Sequence, residues 1–261
     1  MVLKKVSSYD LMRNIAVVKF PDDFSQKNKK IFAEDLLKKN KSVKTVLEKV
    51  GKVKGRLRKI TTKHIAGEKT KEVLYRENGC VFRFDVDTTY FSPRLSNERK
   101  EIASKIKKGE SVLVMFAGVA PFSIVIARNS RAKRVVSNEI NKIANKYAKL
   151  NVELNKVKDR VEVLKGDIKK IVPKLKEKYE VIVMPRPQLK ESFLEQAFAL
   201  SKKNTRIYYY DFCDIGKEKQ IVEMIQAQAK KHKKKIKILK TKKAGEVAPY
   251  RIRLRVDLKI V

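Results

Sequence analysis

The chain has 261 residues, 43% of them apolar, enough to bury one large core or two modest ones. Lys and Arg number 64 against 29 Asp and Glu, a formal net charge of +35; a lysine-rich thermophile surface would explain the abundance of charge but not its imbalance, so a polyanionic partner, most often nucleic acid, is implied. Two cysteines (Cys80, Cys213) and two histidines (His64, His232) exclude a disulfide framework and argue against zinc, no apolar run approaches the ~20 residues of a membrane span, and the first twenty residues lack a signal-peptide core, so a cytoplasmic protein is expected.

In chain order, Ile15–Phe20 reads as a short strand led in by polar Tyr9-Asp10 and broken by Pro21-Asp22-Asp23. Ile31, Leu36 and Leu37 share one face of a helix running to about Lys39, and Val43–Val46 is a second strand. Lys49–Lys59 (KVGKVKGRLRK) fits either a solvated hairpin or an edge that touches phosphates and bases. Glu72–Tyr75 and Cys80–Val86 form a hairpin about Glu77-Asn78-Gly79. Residues 1–92 therefore read as a small α+β domain, and 93–261 as a second domain opened by a helix over about Asn97–Lys107.

The second domain is organised around Ser111–Ile124, SVLVMFAGVAPFSI. A buried strand runs into a small-residue turn and a helix, where free N–H groups suit a polar or anionic ligand. Strands are expected at Val112–Met115, Arg134–Ser137, Val161–Leu164, Glu180–Met184, Arg206–Phe212, Ile236–Leu239 and Tyr250–Ile260. Helices are expected at Phe122–Asn129, Ile140–Leu150, Ile168–Lys176, Lys190–Lys202 and Lys217–Lys230. The alternation implies an α/β fold with a mostly parallel sheet covered on both faces. Seven strands, the last two joined without a long helix, fit a Rossmann-like class I methyltransferase sheet better than a plain dinucleotide fold.

Ligands of such sheets bind beyond the carboxyl ends of the strands. The four relevant ends carry the turn Phe116-Ala117-Gly118-Val119, then Glu139 with Asn141, then Gly166-Asp167, then Met184-Pro185-Arg186-Pro187. A carboxylate at Glu139 suits ribose hydroxyls, and Asp167 suits an adenine edge. Together the four ends point to S-adenosylmethionine. Each alone has an ordinary reading as a helix cap or a βα turn. Tyr208-Tyr209-Tyr210 reads as core packing on a central strand, and Lys230–Lys237 as a solvated helix end.

The segments KVKGRLR (52–58), AGEK (66–69), ENG (77–79), YFSPRLSNER (90–99) and MFAGVAPFS (115–123) resemble the archaeal and eukaryotic tRNA guanine-37 N1-methyltransferases over nearly the whole chain. The Pro185-Arg186-Pro187 loop resembles the archaeal "a" branch, some members of which also methylate carbon 7 of 4-demethylwyosine at the same nucleotide. The resemblance implies that Glu98 takes the N1 proton of guanine and Arg58 stabilises charge on O6. Their ordinary alternatives are a helix-terminal carboxylate and one more phosphate contact. It also implies that Tyr90, Arg94, Arg99, Pro187, Arg56 and Lys54 contact the substrate. Lys133 and Arg134 are expected to extend a tRNA-facing surface with the lysines of 49–63. Departures stand at Val114, Ala120 and Glu139, where the family often has Asp, Gly and Asp, and its small elbow-reading domain is expected to be missing. Two alternatives stay open: a non-catalytic RNA-binding module on a degenerate fold, and a methyltransferase for another RNA. The absence of a polar acceptor at Pro185 argues against exocyclic-amine methylation. A monomer acting on tRNA, with no metal and no membrane, is expected.

Overall fold

The computed structural model describes Val6, residues 9–54 and residues 59–261, with the side chains of 52–54 and 59 also outside the described set. The first unit is a four-stranded sheet in the order β1-β2-β3-β4, formed by Tyr9–Met12, Ile15–Val18, Thr45–Lys54 and Lys59–Gly67. The polar lead-in expected at Tyr9-Asp10 is thus a strand, paired antiparallel with β2. Helix α1 (Gln26–Lys39) crosses from β2 to the parallel β3. Its start is capped by Ser25, whose hydroxyl accepts from the Asn28 amide at 3.2 Å. Phe32, Ala33 and Leu36 of the helix pack on Ala16, Val18 and Val46 of the sheet and on Phe20 and Phe24.

A hairpin follows, β5 (Glu72–Glu77) and β6 (Cys80–Asp85). Its turn places Asn78 and Gly79 at φ 48° and 72°, the left-handed pair that an Asn-Gly turn adopts at least cost. Phe82 and Phe84 point into the same core as the second domain's Val125 and Val152.

The second unit carries the expected seven-stranded sheet. Helix α2 (Ser96–Ser104) leads to β7 (Ser111–Met115), followed by α3 (Pro121–Asn129), β8 (Arg134–Glu139), α4 (Lys142–Leu154), β9 (Val161–Lys165), α5 (Ile168–Ile171), β10 (Tyr179–Met184), α6 (Leu194–Ala199), β11 (Ser201–Asp214), α7 (Glu218–Lys231), β12 (Ile236–Ala248) and β13 (Arg251–Ile260). The order is β12-β13-β11-β10-β7-β8-β9, with β13 antiparallel to both neighbours and the remaining pairs parallel. The chain winds one way from β7 through β8 and β9, and the other way from β10. The switch lies between β7 and β10, which opens a crevice at their carboxyl ends. The four residues Val112–Met115 have no exposed surface, as a strand covered on both faces requires.

Two helices are shorter than periodicity predicts. Pro173 lies in a single 3-10 turn, Val172–Lys174, that ends the helix expected to reach Lys176. The helix expected from Lys190 begins only at Leu194, because Phe193 sits at φ 59° and the preceding loop is pinned elsewhere. Tyr208, Tyr209 and Tyr210 are at most 3% exposed, as core packing requires. Among the described residues, no helix is long and apolar enough to cross a membrane.

Candidate active site

Strand β7 ends at Met115, and the backbone then turns sharply, with Phe116, Gly118 and Ala120 at φ 58°, 59° and 67°. A side chain at Gly118 would be strained at that φ, and its Cβ would sit 3.3 Å from the Tyr90 carbonyl oxygen. Glycine therefore lets segment 90–95 close over the turn. Pro121 occupies the first position of α3, where its missing N–H costs nothing.

Glu139, the last residue of β8, fixes this turn. Its Oε2 accepts the Gly118 amide at 2.8 Å and its Oε1 accepts the Asn141 amide at 2.7 Å. Asn141 caps α4 through the Ile143 amide at 2.9 Å and donates from Nδ2 to the Thr88 carbonyl at 2.8 Å. Asn138 donates to the carbonyls of Leu164 and Gly166 at 3.2 and 3.1 Å, holding the end of β9 in place. These contacts shape a cleft of about 770 Å³, open at its mouth, lined by Phe116, Gly118, Glu139, Asn141, Ile168 and Pro185. Tyr90, Leu95, Pro187, Leu189 and Arg253 complete its rim. A largely apolar slot with one carboxylate at a strand end and a turn kept bare at Gly118 fits a nucleoside with a ribose and a short charged tail.

Not every expected contact reaches the cleft. Ala117 and Val119 do not line it; Val119 is fully buried and gives its carbonyl to Asn151 at 3.1 Å. Asp167 caps α5 through the Lys169 amide at 3.1 Å, while its neighbours Gly166 and Ile168 form the wall. Arg99, expected at the substrate, is instead a core brace. It is 1% exposed, pairs with both oxygens of Glu77 and donates to the Ser92 carbonyl at 3.0 Å. Arg134, expected on the tRNA-facing surface, lies at the opposite end of β8 from the cleft and is paired there with Glu162 and Glu177. Arg56 and Arg58 lie outside the described residues, as does the side chain of Lys54.

A second cleft, about 1110 Å³ counted to its open mouth, adjoins the first. Tyr90 and Arg253 border both. The second is otherwise walled by Phe91–Arg94, Phe212, the end of β12 over 244–248, Arg251, Gln188, and Asp10 and Met12 of the first unit. Arg94 reaches Asp10 at 2.8 Å and so ties the two units at this edge.

Glu98 lines neither cleft. Its carboxylate is buried on α2 and accepts from Tyr210 Oη at 3.0 Å, Arg255 Nη1 at 2.6 Å and Lys242 Nζ at 2.8 Å. Glu101, one turn on, accepts Arg255 Nη2 at 2.6 Å and also pairs with Lys242. The guanidinium of Arg255 holds the Glu101 carboxyl down at about 2. Burial, reinforced by the Glu98 charge, pushes the Tyr210 phenol well up.

Two wall residues receive no role from the sequence motifs. Arg186 is inside the proline loop, its side chain 2% exposed. It donates to the carbonyls of Leu189 and Glu191 at 2.5 and 2.6 Å and pairs with Asp211 at 2.5 Å. Arg253 comes from the last strand, where the alternation Arg251-Ile252-Arg253-Leu254-Arg255 is the one hint that a buried strand presents cations on one face.

Residues 73–239 match the family model described as TRM5/TYW2 methyltransferase domain, and residues 2–70 match the TYW2 N-terminal domain. The chain is 34% identical over 255 residues to the tRNA (guanine(37)-N(1))-methyltransferase Trm5b of Pyrococcus abyssi, covering 97% of this chain and 75% of the relative. It is 30% identical to the tRNA (guanine(37)-N(1))/4-demethylwyosine(37)-methyltransferase Taw22 of Nanoarchaeum equitans, covering 97% of this chain and 100% of the relative. The fold superposes on the solved complex of aTrm5 and tRNALeu with a TM-score of 0.84 at 28% identity, covering 99% of this chain and 74% of that one.

Proposed function

The chain belongs to the TRM5/TYW2 methyltransferase family, and on that premise we propose that it methylates N1 of guanosine 37 in tRNA. The observation that carries this reading is the junction of the two clefts at Tyr90 and Arg253. One cleft suits a nucleoside donor, and the other has room for an extruded nucleotide. S-adenosylmethionine supplies an electrophilic methyl group when bound. Glu139 and Asn141 would hold its ribose end, Ile168 and Leu189 would cover the base, and the Phe116–Gly118 turn would pass beneath the amino-acid tail.

The chain's own residues must then orient guanine and accept the N1 proton. Glu98 is the acceptor we propose, supported by its place one turn from Leu95 and Arg94, which line the two clefts. For that role its carboxylate must be released by Lys242 or Arg255 when RNA binds, since both now hold it. Arg58 is proposed to stabilise charge on O6, with Lys54, Arg56, Arg94, Tyr90 and Pro187 on the substrate side. Asp10 and Glu246 are the described carboxylates on the wall of the second cleft, paired with Arg94 and Lys243. They are the alternatives for proton transfer.

A second reaction, at carbon 7 of 4-demethylwyosine, is favoured by one observation: the Taw22 relative carries both activities in its name and is matched along its full length. We also propose that the protein works in the cytoplasm, where a tRNA substrate is met, and as a monomer. The test is methyl transfer from labelled S-adenosylmethionine to unmodified tRNA, with nucleosides read by mass spectrometry. N1-methylguanosine that vanishes when adenosine replaces guanosine 37 supports the reading. Cofactor binding without any product on tRNA would turn the search to another RNA.

A further inference from the structure

Three arginines alternate along one face of β13, and their surroundings differ sharply. Arg255 is fully buried and meets the carboxylates of Glu98, Glu101 and Asp257. Arg253, two residues nearer the crevice, is 8% exposed, and among the described residues its recorded partners are Tyr90 and the Phe212 ring, with no carboxylate at ion-pair distance. It donates to Tyr90 Oη at 3.2 Å and lies 5.0 Å from the centre of the Phe212 ring, which stands directly across the strand pair. Arg251 follows on the same face at the lip of the second cleft, and its Nε is buried with no described partner. The cross-strand neighbour of Arg251, Asp214, is turned to Lys217 at 3.2 Å. The other charges around the cleft pair among themselves, Arg94 with Asp10 and Lys243 with Glu246.

A cation that is mostly removed from water without an anionic partner is costly. Here one such group, Arg253, and a half-buried neighbour, Arg251, whose Nε is buried, stand side by side on a rigid strand and line an open cleft. We propose that Arg251 and Arg253 form a phosphate subsite that grips a backbone phosphate flanking the nucleotide drawn into the second cleft. The planar fork of a guanidinium matches two phosphate oxygens, and a phosphate is the anion an RNA substrate must bring to this place. Arg253 also touches Tyr90, so filling the subsite would fix the ring that separates the two clefts. This inference rests on the reading that the substrate is RNA. The competing anion is the carboxylate of the cofactor's amino-acid tail, since Arg253 borders the first cleft as well. Arg251 borders only the second, which favours phosphate.

The test couples charge removal on each side. Full-length tRNA is ligated from halves that carry one neutral methylphosphonate on the 5′ or 3′ side of nucleotide 37. Binding is measured to wild-type protein and to Arg253→Gln, Arg251→Gln and Arg253→Lys, each checked for an unchanged melting profile. Wild-type protein should lose roughly ten-fold in affinity at one of the two positions, the scale of a desolvated charge pair. The Gln variants should bind native tRNA about ten-fold more weakly and show no further loss with that methylphosphonate. Arg253→Lys should recover part of the affinity and of the methylphosphonate penalty. Independent, multiplying losses would overturn the subsite. So would a weaker grip on S-adenosylmethionine in the absence of RNA, which would assign the anion to the cofactor. Wild-type protein that binds no tRNA would overturn the functional reading and the subsite together, whereas tight binding without coupling would overturn the subsite alone.

Discussion

Glu98 and Arg255, 157 residues apart in sequence, meet at 2.6 Å in a pocket where the guanidinium has no exposed surface. The pair clamps α2 to β13. Glu101, Asp257, Lys242 and the Tyr210 hydroxyl complete the set of partners, so the buried charges are compensated within one network. The carboxylate proposed to take a proton is therefore also a structural anchor, and the two roles can be separated by experiment.

Glu98→Gln keeps the shape and removes the charge. Stability should fall by about 3 kcal/mol, the scale of a broken buried pair. Turnover per folded molecule should fall about a hundred-fold or more if the group accepts the N1 proton, with cofactor affinity unchanged. Thermal melting, calorimetry and single-turnover methylation separate these effects. Lost stability with retained turnover would make Glu98 purely structural and move attention to Asp10 and Glu246.

Acid should loosen the same network. The Glu101 carboxyl titrates at about 2 in the folded protein, depressed by Arg255, against 4.5 ordinarily. A depressed folded value means that its stabilisation is complete above the ordinary carboxylate range and is lost as pH falls towards the folded value. Melting temperature should drop between those two values, and Glu101→Gln should be less stable at neutral pH with a shallower acid slope. An identical acid slope in the variant would remove Glu101 from the explanation.

Glu139 joins the turn after β7 to the start of α4 through two backbone amides. Glu139→Ala removes both contacts and the proposed ribose acceptor. Affinity for S-adenosylmethionine should fall by about ten- to a hundred-fold, the scale of one or two charge-assisted hydrogen bonds. Titration calorimetry reads this directly; unchanged affinity would take ribose binding away from Glu139.

The β5–β6 hairpin is held to the second unit by an unusual ladder. Asn151 on α4 and Asn155, the residue that caps its end one turn on, exchange two hydrogen bonds each with the backbone of Arg83 and Val81 respectively, as a neighbouring strand would. Asn151→Ala would strand the Arg83 groups and the Val119 carbonyl. A loss of about 2–4 kcal/mol is expected in chemical denaturation, with weaker cofactor binding because Val119 belongs to the turn. A loss below about 1 kcal/mol would mean that water replaces the ladder.

Replacing several of the lysines between 49 and 63 should weaken tRNA binding and flatten its salt dependence, by about 0.7–0.9 in log–log slope for each phosphate left without its cation. An unchanged slope would place the RNA on another face. Arg134→Gln serves as the control, since that residue is neutralised by Glu162 and Glu177 and should leave the slope as it is.

Local pattern was enough to mark much of this architecture before any element had a neighbour. Continuous apolar runs marked the buried strands, Asn78-Gly79 marked the hairpin, and the small-residue turn after Met115 marked the first cleft, because each is a short-range constraint on burial or on φ. The expected carboxyl-end residues Phe116, Gly118, Glu139, Asn141 and Pro185 all line that cleft. Roles that depend on elements distant in the chain emerged only once the sheet was assembled. Arg99 and Glu98 look equally functional one residue apart, yet α2 turns one towards Glu77 and the other towards Arg255. Arg134 and Arg253 look like equal surface charges until the sheet places one at its far end against two carboxylates and the other between two clefts, with no described carboxylate in reach. Periodicity gives the face of a strand; it does not give what lies across from that face, and for a charged group that neighbour sets its role.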